Sequence, residues 1–206
     1  MEINKKFGKL TNDSVIKKTV SALKANGLTV YVVNDGAAAK AKALSLLPAG
    51  AEIMNMSSVT LTEIGLDKEI LNNASYKAVR NEFARLNSPE QMMEKQRLGA
   101  APEYVVGSVH AITMAGEILI ASATGSQLPA YAYGARFVIW IVGSQKIVPD
   151  LETAQQRLRE YCLPMENARA LKVYGYGSSI NKILQINKET QVDRITVIIV
   201  KEKLGF

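Results

Sequence analysis

The sequence predicts a three-layer α/β/α fold with a mainly parallel sheet, and three observations carry that expectation. Short runs of β-branched and aromatic residues alternate with longer amphipathic stretches along the 206-residue chain. The runs are too short for core helices and too apolar for strands with a wet face, so they read as strands covered on both sides. The joints between them carry helix-starting and helix-stopping residues in the proper order.

Val15–Ala25 is expected to be a helix, stopped by Asn26-Gly27, where glycine takes the left-handed conformation without penalty. Thr29–Val33 follows as a buried strand, and the Asn34-Asp35-Gly36 turn leads into an Ala/Lys/Leu helix that ends before Pro48. Ala51–Met56 is the second strand, and Leu61–Ile64 opens another helix. Residues 66–100 read as mostly helical. Ser88-Pro89-Glu90-Gln91 starts one of these helices, with serine at the N-cap, proline at N1 and glutamine at N3, and Leu98-Gly99 marks its end. Strands are expected at Glu117–Ala121 and Phe137–Val142, then a helix capped by Asp150 that aligns Leu151, Ala154, Leu158 and Tyr161 on one face. Ile195–Val200 is the last strand. No linker, low-complexity tract or repeat interrupts the series, so a single domain over residues 1–206 is expected.

Composition narrows the class. The chain is 48% hydrophobic and 21% charged, the balance of a packed globular protein. One cysteine, Cys162, excludes an intramolecular disulfide and any all-cysteine zinc or iron–sulfur site, and one histidine excludes a His-rich metal centre. No metal or cofactor is therefore expected, and a reducing, cytoplasmic setting fits best. The polar start Met1–Lys6 is not a secretory signal, and the longest strongly apolar run, Phe137–Val142, reaches about a third of a bilayer span, so no membrane role is expected. The net charge of +6 gathers partly in Lys5, Lys6, Lys9, Lys17, Lys18 and Lys24. These lysines alternate with Ile16, Val20 and Leu23 at helical spacing and no nucleic-acid module accompanies them. They read as the wet face of a helix, and nucleic acid is not an expected partner.

In an open α/β sheet, ligands bind beyond the carboxyl ends of the strands. Three loops qualify. In the first, Asn55–Glu63, Ser57, Ser58 and Thr60 offer hydroxyls near a helix start that favours an anion. Glu63 is either a catalytic carboxylate or the far half of a Thr60-x-x-Glu63 capping box. The second, Ala121–Pro129, carries Thr124, Gly125, Ser126 and Gln127 and is expected to enter a helix; it is either a ligand cradle or a tight turn. The third, Val142–Lys146, ends in a lysine that either binds an anion or lies on the surface. His110, among small and apolar neighbours, is a candidate for proton transfer near neutrality or a hydrogen-bonded structural residue. Cys162, expected near the end of the Asp150 helix, has no histidine or cationic cluster beside it in sequence and reads as packing.

The segments Gly107-Ser-Val-His110-Ala-Ile-Thr113, Gly116-Glu117-Ile118, Ala121-Ser122-x-Thr124-Gly125-Ser126-Gln127-Leu128 and Val142-Gly143-x-Gln145-Lys146-Ile147-Val148-Pro149-Asp150 resemble, in order and spacing, the lactate-utilisation (LUD) domain. Ser57–Leu66 is similar to that family's serine/threonine loop, and Gly205-Phe206 to the end of its short members; the resemblance runs from about residue 50 onward. It implies the fold group of glucosamine-phosphate isomerase, ribose-phosphate isomerase and coenzyme A transferase. It also implies a link to operons that oxidise lactate to pyruvate, in which larger relatives add ferredoxin-like cysteine clusters. Those clusters are absent here. The leading expectation is thus an accessory component of lactate or related organic-acid utilisation that binds a small carboxylate or phosphate. The alternatives are an isomerase- or transferase-like enzyme using Glu63 or Glu117, and a non-catalytic assembly subunit that docks onto iron–sulfur partners. A homo-oligomer is compatible with each.

Overall fold

The computed structural model describes residues 2–206. In chain order the first half contains α1 (Asp13–Ala25), β1 (Thr29–Val33), α2 (Gly36–Ser45), β2 (Glu52–Asn55), α3 (Val59–Glu63), α4 (Leu66–Asn72), β3 (Lys77–Ala78), α5 (Val79–Phe83) and α6 (Met92–Ala100). The second half contains β4 (Tyr104–Gly107), β5 (Ala111–Thr113), β6 (Ile118–Ser122), β7 (Phe137–Gly143), β8 (Ile147–Val148), α7 (Leu151–Arg157), α8 (Leu163–Tyr174), β9 (Lys182–Ile186) and β10 (Ile195–Val200).

The central sheet has six strands in the order β1-β10-β7-β4-β2-β3. Every pairing in it is parallel. Its middle strands are buried on both faces, which is why β7 and β10 read as apolar runs, broken in β10 only by Thr196. Val138, Trp140 and Val142 of β7 join Val197 and Ile199 of β10 in one core, against α1. Ile139, Ile141, Ile198 and Val200 point the other way, into a core closed by α2, α3 and α4. This is the three-layer α/β/α arrangement.

A second sheet adds to the expected one. It has four strands, β8-β5-β6-β9, of mixed direction. β6 belongs here, so the Glu117–Ala121 run is a strand but not one of the central sheet. Its alternation is strict: Ile118 and Ile120 face the central core, while Leu119 and Ala121 face α7 and the helical turn after it.

Local signals succeed where the chain supplies its own partners. Asn12 caps α1 by accepting from Val15 N, Asp35 caps α2 from Ala38 N and Asp150 caps α7 from Thr153 N. Gly27 stops α1 with φ of +87°. Gln91 Oε1 accepts from Ser88 N at 3.2 Å, completing the expected box. Lys17, Lys18 and Lys24 lie on the exposed face of α1, as a wet helix face requires.

Three expectations are corrected and one strand is added. The 66–100 stretch is broken into α4, α5 and α6 with the short strand β3 between, because Lys77 and Ala78 pair with β2 at the sheet edge. Tyr104–Gly107 is a central strand that the sequence reading leaves unassigned. No α-helix follows the 121–129 loop; Ala130–Gly134 forms one π-helical turn. The Asp150 helix does not end near Cys162 but continues through a π-helical turn, Leu158–Cys162, into α8. Pro164 explains the wide turn: it has no N–H to give back to the preceding turn, and a π turn absorbs that loss.

Candidate functional site

Two neighbouring strands of the central sheet leave it in the same way. β4 ends at Gly107 and the chain crosses to β5; β7 ends at Gly143 and crosses to β8. Since β4 pairs with β7 and β5 with β8, the crossings run side by side at the seam between the sheets. They bring Ser108 and His110 next to Lys146. Gly107 permits the first crossing, because a Cβ there would collide with the Tyr131 hydroxyl.

Lys146 is 2% exposed, which removes the surface-lysine reading. Its Nζ donates to Ser108 Oγ at 3.0 Å and to Thr60 Oγ1 at 3.1 Å. Ser108 Oγ in turn donates to the Ile141 carbonyl at 2.7 Å, and Thr60 Oγ1 to the Leu204 carbonyl at 3.3 Å. Burial, then repulsion from Arg157, lowers the Lys146 ammonium pKa to about 7, with Cys162 and Glu63 opposing that fall.

Arg157 is fully buried. The π turn sets it five residues before Cys162, and its Nη1 lies 2.6 Å from the His110 carbonyl and 2.7 Å from Cys162 Sγ. Its Nε and Nη2 have no partner. Cys162 therefore has a cationic neighbour that its sequence surroundings do not show, although burial still raises its thiol pKa overall. Among the described residues neither Lys146 nor Arg157 forms an ion pair. Arg194, equally buried, shows the ordinary solution: Glu189 at 2.7 Å and bonds to three backbone carbonyls.

His110 is half-buried, and its Nδ1 accepts from Ala121 N at 3.2 Å. Burial, followed by the charges of Lys146 and Arg157, pushes its pKa down to about 3. The ring stays neutral around pH 7, below the range in which a histidine shuttles protons near neutrality.

The capping box expected at Thr60 and Glu63 does not form. Thr60 sits inside α3 with Ser58 at the N-cap position, and Glu63 Oε2 instead accepts from Gly205 N at 2.6 Å. Residues 204 and 205 lie across the site: Gln145 Nε2 donates to both of their carbonyls, at 2.8 and 3.3 Å. Ser57 is exposed and turned toward Arg80, which donates to it at 2.6 Å. Ser58 makes no side-chain capping bond.

The structure separates the expected ligands of the second loop from this cluster. Thr124, Gly125, Ser126 and Gln127 bond within their own loop, through Ser122 and the backbone, and Lys182 closes it by donating to the Thr124 carbonyl at 2.6 Å. Glu117 accepts from Thr113 Oγ1 at 2.6 Å across the β5–β6 turn, within the small sheet. The cluster thus holds Thr60, Lys146 and His110 of the expected residues, with Glu63 at its border. Ser108 and Arg157 were not foreseen. Arg157 had a signal, since it shares the helix face of Ala154, Leu158 and Tyr161, where an arginine is out of place.

Comparison with curated proteins finds no match. A crystal structure of a DUF162 family protein from Deinococcus radiodurans is similar to the chain, with a TM-score of 0.59 at 12% sequence identity, over 93% of this chain and 99% of that one. At that identity the likeness bears on the fold. The family model of the LUD domain matches residues 16–200, spanning both sheets and every residue of the buried cluster, and the chain belongs to the LUD domain family.

Proposed function

We propose that the protein is a small-anion-binding component of lactate or related organic-acid utilisation, holding a carboxylate at Lys146 and Arg157. One observation carries this reading: two cations are buried in one cluster, near enough for the charge of Arg157 to press on Lys146, among hydroxyls and carbonyls and with no carboxylate paired to either among the described residues. An unpaired buried cation is costly, and an anion that satisfies two of them recovers much of that cost. Arginine suits a carboxylate in particular, because its planar fork matches the two oxygens, and here two of its nitrogens are free. The half-buried Ser108 and His110 form the open side of the cluster. The family's link to lactate utilisation supplies the class of acid.

Calorimetry at pH 6.5 with lactate, pyruvate, a sugar phosphate and coenzyme A tests the reading. Lactate or pyruvate is expected to bind, and Arg157→Met to weaken that binding about ten-fold or more, the worth of a charge-assisted hydrogen bond. If none of the four gives heat above dilution, the reading is wrong.

A further inference from the structure

Ser108, Lys146 and Thr60 form a chain of three polar groups whose geometry exceeds what holding an anion requires. The amine lies 3.0 Å from the serine oxygen and 3.1 Å from the threonine oxygen. Within it Ser108 is the partly exposed member, at the carboxyl end of a central strand, and Lys146 lies behind it out of water. A nucleophile in front, a base within hydrogen-bond reach and a third group orienting that base is the arrangement by which a serine is activated.

We propose that Ser108 is an acyl-accepting nucleophile, activated by Lys146 as general base and acting on a small carboxylic ester or thioester. This rests on the reading that the cluster accepts a small carboxylic acid, here as the acyl group and as the released product. With Lys146 neutral, the Ser108 hydroxyl turns its hydrogen from the Ile141 carbonyl to Lys146 Nζ, and Ser108 Oγ attacks the acyl carbon while that proton passes to the amine. The resulting ammonium returns that proton to the departing alkoxide or thiolate, leaving acyl-Ser108 and a neutral amine. Water then attacks the acyl carbon, again losing its proton to Lys146, and the carboxylic acid leaves as Ser108 recovers its hydrogen. No oxidant, metal or second substrate beyond water is needed. Thr60 is a positioning residue that holds the amine on Ser108, and Arg157 adds the positive charge that a tetrahedral oxyanion needs nearby.

The electrostatics agree with the geometry. The groups that face Lys146 are Arg157 and Cys162 from the long helix, Glu63 from α3 and His110 from the adjoining crossing. Burial and Arg157 outweigh the two acidic groups, so a neutral amine is present near pH 7, where an ordinary lysine would be fully protonated.

The full-length chain is mixed with 4-nitrophenyl acetate, nitrophenol release is followed by stopped flow, and the acetylated site is mapped by mass spectrometry, with lactate calorimetry on the same preparation. The expected result is a burst with an acetyl group on Ser108, a rate that rises with pH around an apparent pKa near 7, and loss of the adduct in Ser108→Ala. Lys146→Gln should slow acylation about a hundred-fold or more. Because that variant could lose its fold, the wild-type pH profile stands beside it: acylation of Ser108 with no inflection near 7 removes Lys146 as the base. Acetyl found on Lys146 and not on Ser108 overturns the proposal. Lactate binding with no adduct at Ser108 also overturns it and leaves the carboxylate-binding reading standing, whereas absence of both sinks the two together.

Discussion

Lys146 and Arg194 are both almost fully buried, and they differ in what meets the charge. Arg194 has Glu189 and three carbonyls; Lys146 has two hydroxyls and a second cation nearby. The difference should be visible in stability against pH. An unfolded Lys146 keeps its proton up to about pH 10.5, and the folded one only to about 7. Across that interval the unfolded state binds more protons, so stability rises with pH. His110 adds a second rise between about 3 and 6.5, for the same reason. Lys146→Met is expected to flatten the upper rise, to narrow the lower one by removing a charge that presses on His110, and to stabilise the protein below pH 7 by about 1–4 kcal/mol. Urea titrations from pH 4 to 10 check this; an unchanged upper slope would mean that Lys146 is not the titrating group. None of it was legible locally, because a lysine after Gly143-Ser144-Gln145 looks the same whether it points to water or into the seam between two sheets.

At the scale of elements, legibility followed range. The Asp150 cap uses a partner three residues away and was readable, and so was the Gly27 stop; Asn12 and Asp35 cap α1 and α2 at the same range, although the sequence reading names neither as a cap. The Thr60-x-x-Glu63 pattern has the same spacing and fails, since Gly205 and Lys146, both distant in sequence, claim those side chains. β3 and β4 are short strands defined by their neighbours in the sheet, which periodicity alone does not reveal. The end of β4 offers a sharp test of such packing. Gly107→Ala places a methyl group against the Tyr131 hydroxyl at the π turn and should cost about 1–3 kcal/mol. Tyr131→Phe removes the obstructing oxygen, so the double variant should be less destabilised than the sum of the singles. Strict additivity in chemical denaturation would refute the contact. Separately, Asp35→Ala should cost about 1 kcal/mol through loss of the α2 cap, measured the same way.

For the whole molecule, the site lies where two sheets meet and is closed over by residues 204 and 205. A ligand held there touches both sheets and binds only the folded chain, so it should stabilise the entire protein. A carboxylate at a hundred times its Kd is worth about 2.7 kcal/mol. In a chain of this size that corresponds to a Tm rise of roughly 5–10 °C. Because Lys146 gains its proton below about 7, the rise with lactate should be larger at pH 6 than at pH 8.5. Differential scanning calorimetry at the two pH values decides it, and equal shifts would show that the lysine charge takes no part in binding.

The sequence by itself determined the alternation of strand and helix, the covered central strands and the family, since these depend on local propensity, short-range caps and the order of recognisable segments. It also pointed to Thr60, Lys146 and His110 one at a time. Only the tertiary structure decided that these three share one buried cluster, that Ser108 and Arg157 complete it, and that the Thr124–Gln127 loop lies in the other sheet, bonded to itself. The physical reason is that burial and pairing are relations between residues far apart in the chain. The fold removes the water from Lys146 and Arg157 and supplies no carboxylate partner; an arginine on the apolar face of Ala154, Leu158 and Tyr161 hints at burial, but nothing within a few residues of either cation records what it meets there.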